Sequence, residues 1–106
     1  MNRALINLPR TARRGDIVEI RVLIAHPMES GFRAGADGAL LPRNIITRFT
    51  CRYRGVEVFS AEFYPSVAAN PFLSFPLIAE ESGELLFTWT GDHGFEQSET
   101  ATLAVE

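Results

Sequence analysis

Arg48-Phe49-Thr50-Cys51-Arg52-Tyr53-Arg54-Gly55-Val56-Glu57-Val58-Phe59-Ser60-Ala61-Glu62-Phe63 is the stretch that decides the fold. Phe49, Cys51 and Tyr53 alternate with Arg48, Thr50, Arg52 and Arg54, the period of two that marks a strand with one buried face. Beyond Arg54-Gly55, Phe59, Ala61 and Phe63 take one side and Val58, Ser60 and Glu62 the other. Two such runs joined by a minimal Gly-containing connection read as a hairpin. Outward from it the alternation recurs in Val18, Ile20, Val22 and Ile24, in Leu85, Phe87 and Trp89, and in Ala101, Leu103 and Val105. Gly and Pro punctuate the runs, and Gly91 to Gly94 reads as a second short hairpin loop. Strands are expected at 3–8, 17–25, 45–54, 56–64, 72–79, 84–90 and 95–105, and no segment carries a helical stripe. About seven short antiparallel strands in a chain of this length predict an all-β fold, an immunoglobulin-like β-sandwich. Residues 1–106 form a single domain on this reading.

Composition agrees. With 46% hydrophobic and 22% charged residues, the chain is neither a disordered tail, a collagenous fibre nor a disulfide framework. No apolar run approaches the roughly 20 residues of a membrane-crossing helix, so no membrane association is expected. The start, Met1 to Pro9, has too short an apolar stretch for a signal-peptide core. Cys51 is the single cysteine and has no partner for an internal disulfide, which leaves the redox compartment open. All ten basic residues are Arg and lie at or before Arg54, against four acids in that half. Residues 55–106 carry nine acids and no base. Such polarity steers a charged partner or drives head-to-tail self-association unless strands of the two halves interleave and cancel it. The acidic balance and the lack of a basic stripe among aromatics disfavour nucleic acid as a partner.

Residues 26–44 form a connection longer than those that commonly join elements. Long ordered loops on a rigid sandwich are where binding usually sits, and the plainer reading is a surface insertion with a mobile Gly-rich tip at 33–39. Two histidines and one cysteine are too few for a four-ligand structural zinc site; no metal or other cofactor is expected. His26 continues the buried face of its strand and is expected to be a hydrogen-bonded shoulder residue, whereas His93 sits in a turn as a solvated side chain. Cys51 lies between Phe49 and Tyr53 on the core face, where a thiol acts as a small hydrophobe. No Ser-His-Asp order, phosphate loop or paired-carboxylate motif stands out, so the chain reads as a non-catalytic binding domain with no catalytic residue.

His26-Pro27-Met28-Glu29-Ser30-Gly31, then Pro42-Arg43-Asn44-Ile45-Ile46 and Phe49-Thr50-Cys51, closely resemble the SoxZ family, the Z subunit of the sulfur carrier in the thiosulfate-oxidising (Sox) system. Gly55 to Phe59 with Ser60-Ala61, Ala69-Asn70-Pro71-Phe72, and Glu81-Ser82-Gly83 with Phe87-Thr88-Trp89 extend the resemblance to about residues 5–105. It implies an immunoglobulin-like sandwich that pairs as a heterodimer with SoxY, whose Gly-Gly-Cys-Gly-Gly-like arm carries the sulfur covalently and visits the other Sox enzymes in transient contacts. It also implies a periplasmic location, reached by co-export with a signal-bearing partner. On loop composition together with this resemblance, Met28, Phe32, Arg43, Asn44 and Ile45 are the expected partner-binding residues. Arg43 would meet an anionic sulfur adduct or a partner carboxylate. Asn44 as a turn cap and Ile45 as plain core are the structural alternatives. Two other functions stay open: a redox or sulfur carrier acting through Cys51 itself, and a homodimeric immunoglobulin-like binding module.

Overall fold

The period-two runs become strands because each has one apolar face to bury. In the computed structural model, which describes residues 4–106, these are β1 (Ala4–Asn7), β2 (Thr11–Ala12), β3 (Ile17–Ile24), β4 (Ile46–Tyr53), β5 (Val56–Glu62), β6 (Phe72–Ile78), β7 (Gly83–Gly91) and β8 (Glu96–Val105). One sheet has the order β1-β3-β6 and the other β2-β8-β7-β4-β5. Together they form the expected all-β sandwich. Arg3, the first residue of the expected 3–8 strand, lies outside the described residues. The expectation of purely antiparallel strands needs one correction: β2 runs parallel to β8, pairing Thr11 with Ala104 and Ala12 with Val105. A two-residue element has no period to read, and this one exists because the end of β8 passes beside it.

The core between the sheets is aromatic at its centre. Phe49 packs against Trp89, Phe75 and Phe87 with ring centroids 5.1, 6.0 and 6.4 Å apart. At one side, Phe59 of β5 stacks on Phe75 of β6 at 4.2 Å and 3°, joining the two sheets. The Arg54-Gly55 hairpin forms as read, with φ of 53° and 83°, the left-handed pair of a type I′ turn.

Two bulges break the simple alternation. Ile46 faces Gly91 and Arg48 faces Thr90, so Thr47 is an extra residue against β7; as a result Ile46 as well as Phe49 points inward. Cys51 faces Phe59 and Arg52 faces Glu57, leaving Val58 unpaired in β5. The charge asymmetry is offset in part by ion pairs between the halves. Arg43–Asp92, Arg48–Glu62 and Arg54–Glu81 each join the basic half to the acidic half; the second of these bridges the neighbouring strands β4 and β5.

Candidate functional site

The buried alternation of β3 runs on past the strand, through His26 to Met28. His26 is fixed on three sides. Its N–H donates to Asn70 Oδ1 at 2.9 Å, its carbonyl accepts from the Asn70 N–H at 2.8 Å, and its ring meets Phe95 edge-on with centroids 4.8 Å apart. His26 Nδ1 accepts the Met28 N–H at 3.0 Å, so this nitrogen is the unprotonated one. Burial lowers the His26 pKa below its ordinary value, with the Asp92 charge pulling the other way. Met28 adopts a left-handed φ of 49°, which strains a side chain of this size. Its Sδ accepts the Ile46 N–H at 3.2 Å, tying the first shoulder of the loop to the second.

Outward from this anchor the 26–44 connection folds on itself. Glu29 and Asn44 exchange two main-chain hydrogen bonds of 2.8 Å, Leu41 donates to the Arg33 carbonyl at 2.8 Å, and Gly35 donates to the Ala39 carbonyl at 2.7 Å. The tip expected at 33–39 is thus the end of an irregular hairpin. Its exposed large apolar side chains are Phe32 and Leu40.

The second shoulder is fastened to the turn after β7. Arg43 donates from Nε and Nη2 to the two carboxylate oxygens of Asp92 at 2.9 and 2.8 Å. Asp92 Oδ2 also accepts the Ile45 N–H at 3.1 Å, and the Asp92 N–H donates to the Ile45 carbonyl at 2.9 Å. The hydrogen bond from Arg43 holds the Asp92 carboxyl below the usual carboxylate range. His93, expected to be merely solvated, has Nε2 2.7 Å from the Arg43 carbonyl oxygen. Gly91 lets the backbones meet, since a Cβ there would lie 2.4 Å from the Ile45 carbonyl oxygen.

Of the expected partner-binding residues, the structure leaves Phe32 80% exposed. Arg43 is at the surface, but two of its N–H groups are already committed to Asp92. Asn44 is half-buried, with its main chain in the bridge to Glu29. Met28 and Ile45 must be corrected: they are 5% and 1% exposed, so they support the shoulders from the core and cannot reach a partner. The signal for Met28 was in the sequence, two residues beyond His26 on the same period. Ile45 depended on the Thr47 bulge and the close approach of Gly91. Asp92, which organises the second shoulder, gave no local sign of its distant partner.

A second surface lies at the other end of the sandwich. Between the edge strands β5 and β6 runs an open groove of about 650 Å³, lined by Ile17, Val56, Val58, Pro76, Ile78 and Glu80 among others. Ile17, Val56, Val58 and Ile78 are exposed. Strict alternation would send Val56 and Val58 to the outer face of the sheet. The bulge at Val58 instead sets Val56 opposite the inward-facing Tyr53, and both valines line the groove.

Cys51 is fully buried, and burial pushes its thiol up to about 12, so it holds no thiolate at neutral pH. Among the described residues, no group of three or more His, Cys, Asp or Glu is placed to hold a metal ion.

The family model described as "Sulphur oxidation protein SoxZ" matches residues 6–102. No curated protein matches the chain in sequence. Several solved structures share the fold, two of them as follows. The sulfur carrier protein SoxY from Chlorobium limicola f thiosulfatophilum is 16% identical with a TM-score of 0.69, over 97% of this chain and 78% of that one. The superoxide reductase neelaredoxin from Ignicoccus hospitalis is 17% identical with a TM-score of 0.72, over 97% and 80%. At such identities the likeness is one of fold alone.

Proposed function

The chain belongs to the SoxZ family, and on that premise we propose that it is the non-catalytic subunit of a SoxYZ-type sulfur carrier. It pairs with a SoxY-like subunit, and the covalent sulfur intermediates of thiosulfate oxidation ride on that partner's C-terminal cysteine. The match over residues 6–102 carries this reading. The chemistry of the chain supports it: its one thiol is fully buried in the core, opposite Phe59 and Phe87 of the neighbouring strands, and is poorly suited to be a carrier. The exposed parts of the two shoulders, Phe32, Arg43 and Asn44, are surfaces for the partner or for the enzymes the carrier visits. The proposed location is the periplasm, reached together with the signal-bearing partner.

The test is the mass in solution, by light scattering during gel filtration, of this chain mixed with a SoxY-like protein. A stable one-to-one species is expected; two separate peaks would overturn the reading. Cys51 gives an independent check, since a bulky thiol reagent should label it only after denaturation. Fast labelling of the native protein would instead favour a carrier working through Cys51 itself.

A further inference from the structure

The outer face of the three-stranded sheet is built from alternate residues of β1, β3 and β6. At one level Leu5, Leu23 and Phe72 stand side by side, and at the opposite end Ile17 stands beside Ile78. Between these rows lie Asn7, Arg21 and Ser74 at one level and Glu19 and Pro76 at the next. We propose that this face pairs with the same face of a second copy of the chain, as a weak two-fold dimer. The contact is independent of the carrier reading, since it uses neither Phe32, Arg43 nor Asn44.

Three features select a second copy. First, antiparallel sheets usually turn a polar face to water, yet four large apolar side chains here, Leu5, Ile17, Phe72 and Ile78, are between 55% and 74% exposed. Such a concentration marks a contact surface. Second, the outward residues along β3 read apolar, acid, base, apolar: Ile17, Glu19, Arg21 and Leu23. A two-fold axis lying across the strands at the level of Ile20 reverses that order. Glu19 then meets Arg21 of the second copy, Ile17 meets its Leu23, and Ile78 meets its Phe72. Glu19 and Arg21 already pair with each other at 2.6 Å, with both side chains more than half exposed. An apolar partner would strip the water from that pair without return. A second copy brings the matching acid and base in reverse order, as an isologous contact requires. Third, the relief is self-complementary. The row of Leu5, Leu23 and Phe72 holds a shallow hollow of about 190 Å³, bordered by Asn7 and Arg21. Ile17, 74% exposed, is the knob that the same axis brings to this hollow. With strands about 4.8 Å and residues about 3.3 Å apart, the face measures about 14 by about 23 Å. This is below the roughly 800 Å² per partner of a standard interface, so the dimer is weak and reversible.

The test is sedimentation equilibrium of the full chain alone, from about 5 µM to about 500 µM. A monomer–dimer equilibrium with a Kd of about 10–100 µM is expected. Apolar rows hold it, so it persists in about 500 mM salt. Ile17→Asp is expected to weaken it at least about ten-fold. Glu19→Arg and Arg21→Glu each set like charges across the two-fold axis and should weaken it about as much. Mixed in equal amounts, these two charge variants face acid to base at both crossings, so they should form a mixed dimer at least as tight as that of the wild type. All three positions are exposed, and an unchanged urea midpoint checks that the fold is intact. A wild type that stays monomeric to about 500 µM overturns the dimer. Self-association untouched by Ile17→Asp would place the contact on another surface and overturn this one. Charge variants that dissociate singly but fail to pair with each other overturn the two-fold register. None of these outcomes touches the carrier reading, which stands or falls on the mixture with the SoxY-like protein.

Discussion

His26 couples the loop to pH through one hydrogen bond. The neutral ring accepts the Met28 N–H on Nδ1, and burial lowers the pKa in the folded state below the ordinary 6.5. The unfolded chain therefore binds the proton more tightly than the folded one. Stability is full above about pH 6.5 and falls as pH drops from there through the folded value. The carboxylates Asp92 and Glu29, whose pKa values are lowered by Arg43 and Arg33, weaken the fold only further into the acid range. The urea midpoint should thus fall between about pH 7.5 and about pH 5.5 in the wild type, and this fall should be largely absent in His26→Asn, whose amide oxygen can take the Met28 N–H. An equal fall in the variant would show that His26 is not responsible. At the same scale, the sequence already placed His26 and Cys51 in the interior, because each continues a run of alternate buried residues.

At the scale of the element, the second shoulder is held by backbone proximity more than by charge. A Cβ at position 91 would lie 2.4 Å from the Ile45 carbonyl oxygen and 2.9 Å from the Ile46 Cα, atoms that cannot move without shifting β4. Gly91→Ala should cost about 1–3 kcal/mol of stability, the range of overpacking in a filled site. Asp92→Ala should cost more than Arg43→Ala, since it leaves both the Arg43 guanidinium and the Ile45 N–H without their acceptor. Arg43→Ala removes only a half-exposed ion pair. Urea denaturation of the three variants gives the order directly. In all three, faster amide exchange is expected at Glu29 and Asn44 than in the wild type. The strands and both hairpins were legible from period and turn residues. The bulges were not, because an extra residue announces itself only through the register of its partner strand.

The whole molecule is elongated, with extents of 58 × 22 × 20 Å and a Cα radius of gyration of 16.2 Å, against the roughly 13 Å usual for a compact chain of about 100 residues. Its two candidate surfaces lie at opposite ends of the sandwich, the loop end beyond Ile24 and the groove beside Ile17. The formal charge asymmetry between the halves predicts head-to-tail self-association if it survives folding. Three cross-half ion pairs and the placement of β4 beside acidic β5 offset part of it. The isolated chain should therefore keep one mass in light scattering between about 20 mM and about 500 mM salt, where screening would dissolve any charge-driven oligomer. A mass that falls as salt rises would show that the halves still attract from chain to chain.

The amino-acid sequence by itself determined the sandwich, the seven main strands, the buried thiol and the family, because alternation and turn chemistry are local properties and the family motifs are collinear along the chain. Only the tertiary structure decided which shoulder residues are free. Met28 follows the alternation of β3 into the core, but Ile45 is drawn in because the second shoulder is fastened to the turn at Asp92, a contact between residues nearly fifty positions apart. The groove at Val56 and Val58 likewise exists only where two sheets end side by side and one bulge redirects the side chains between them.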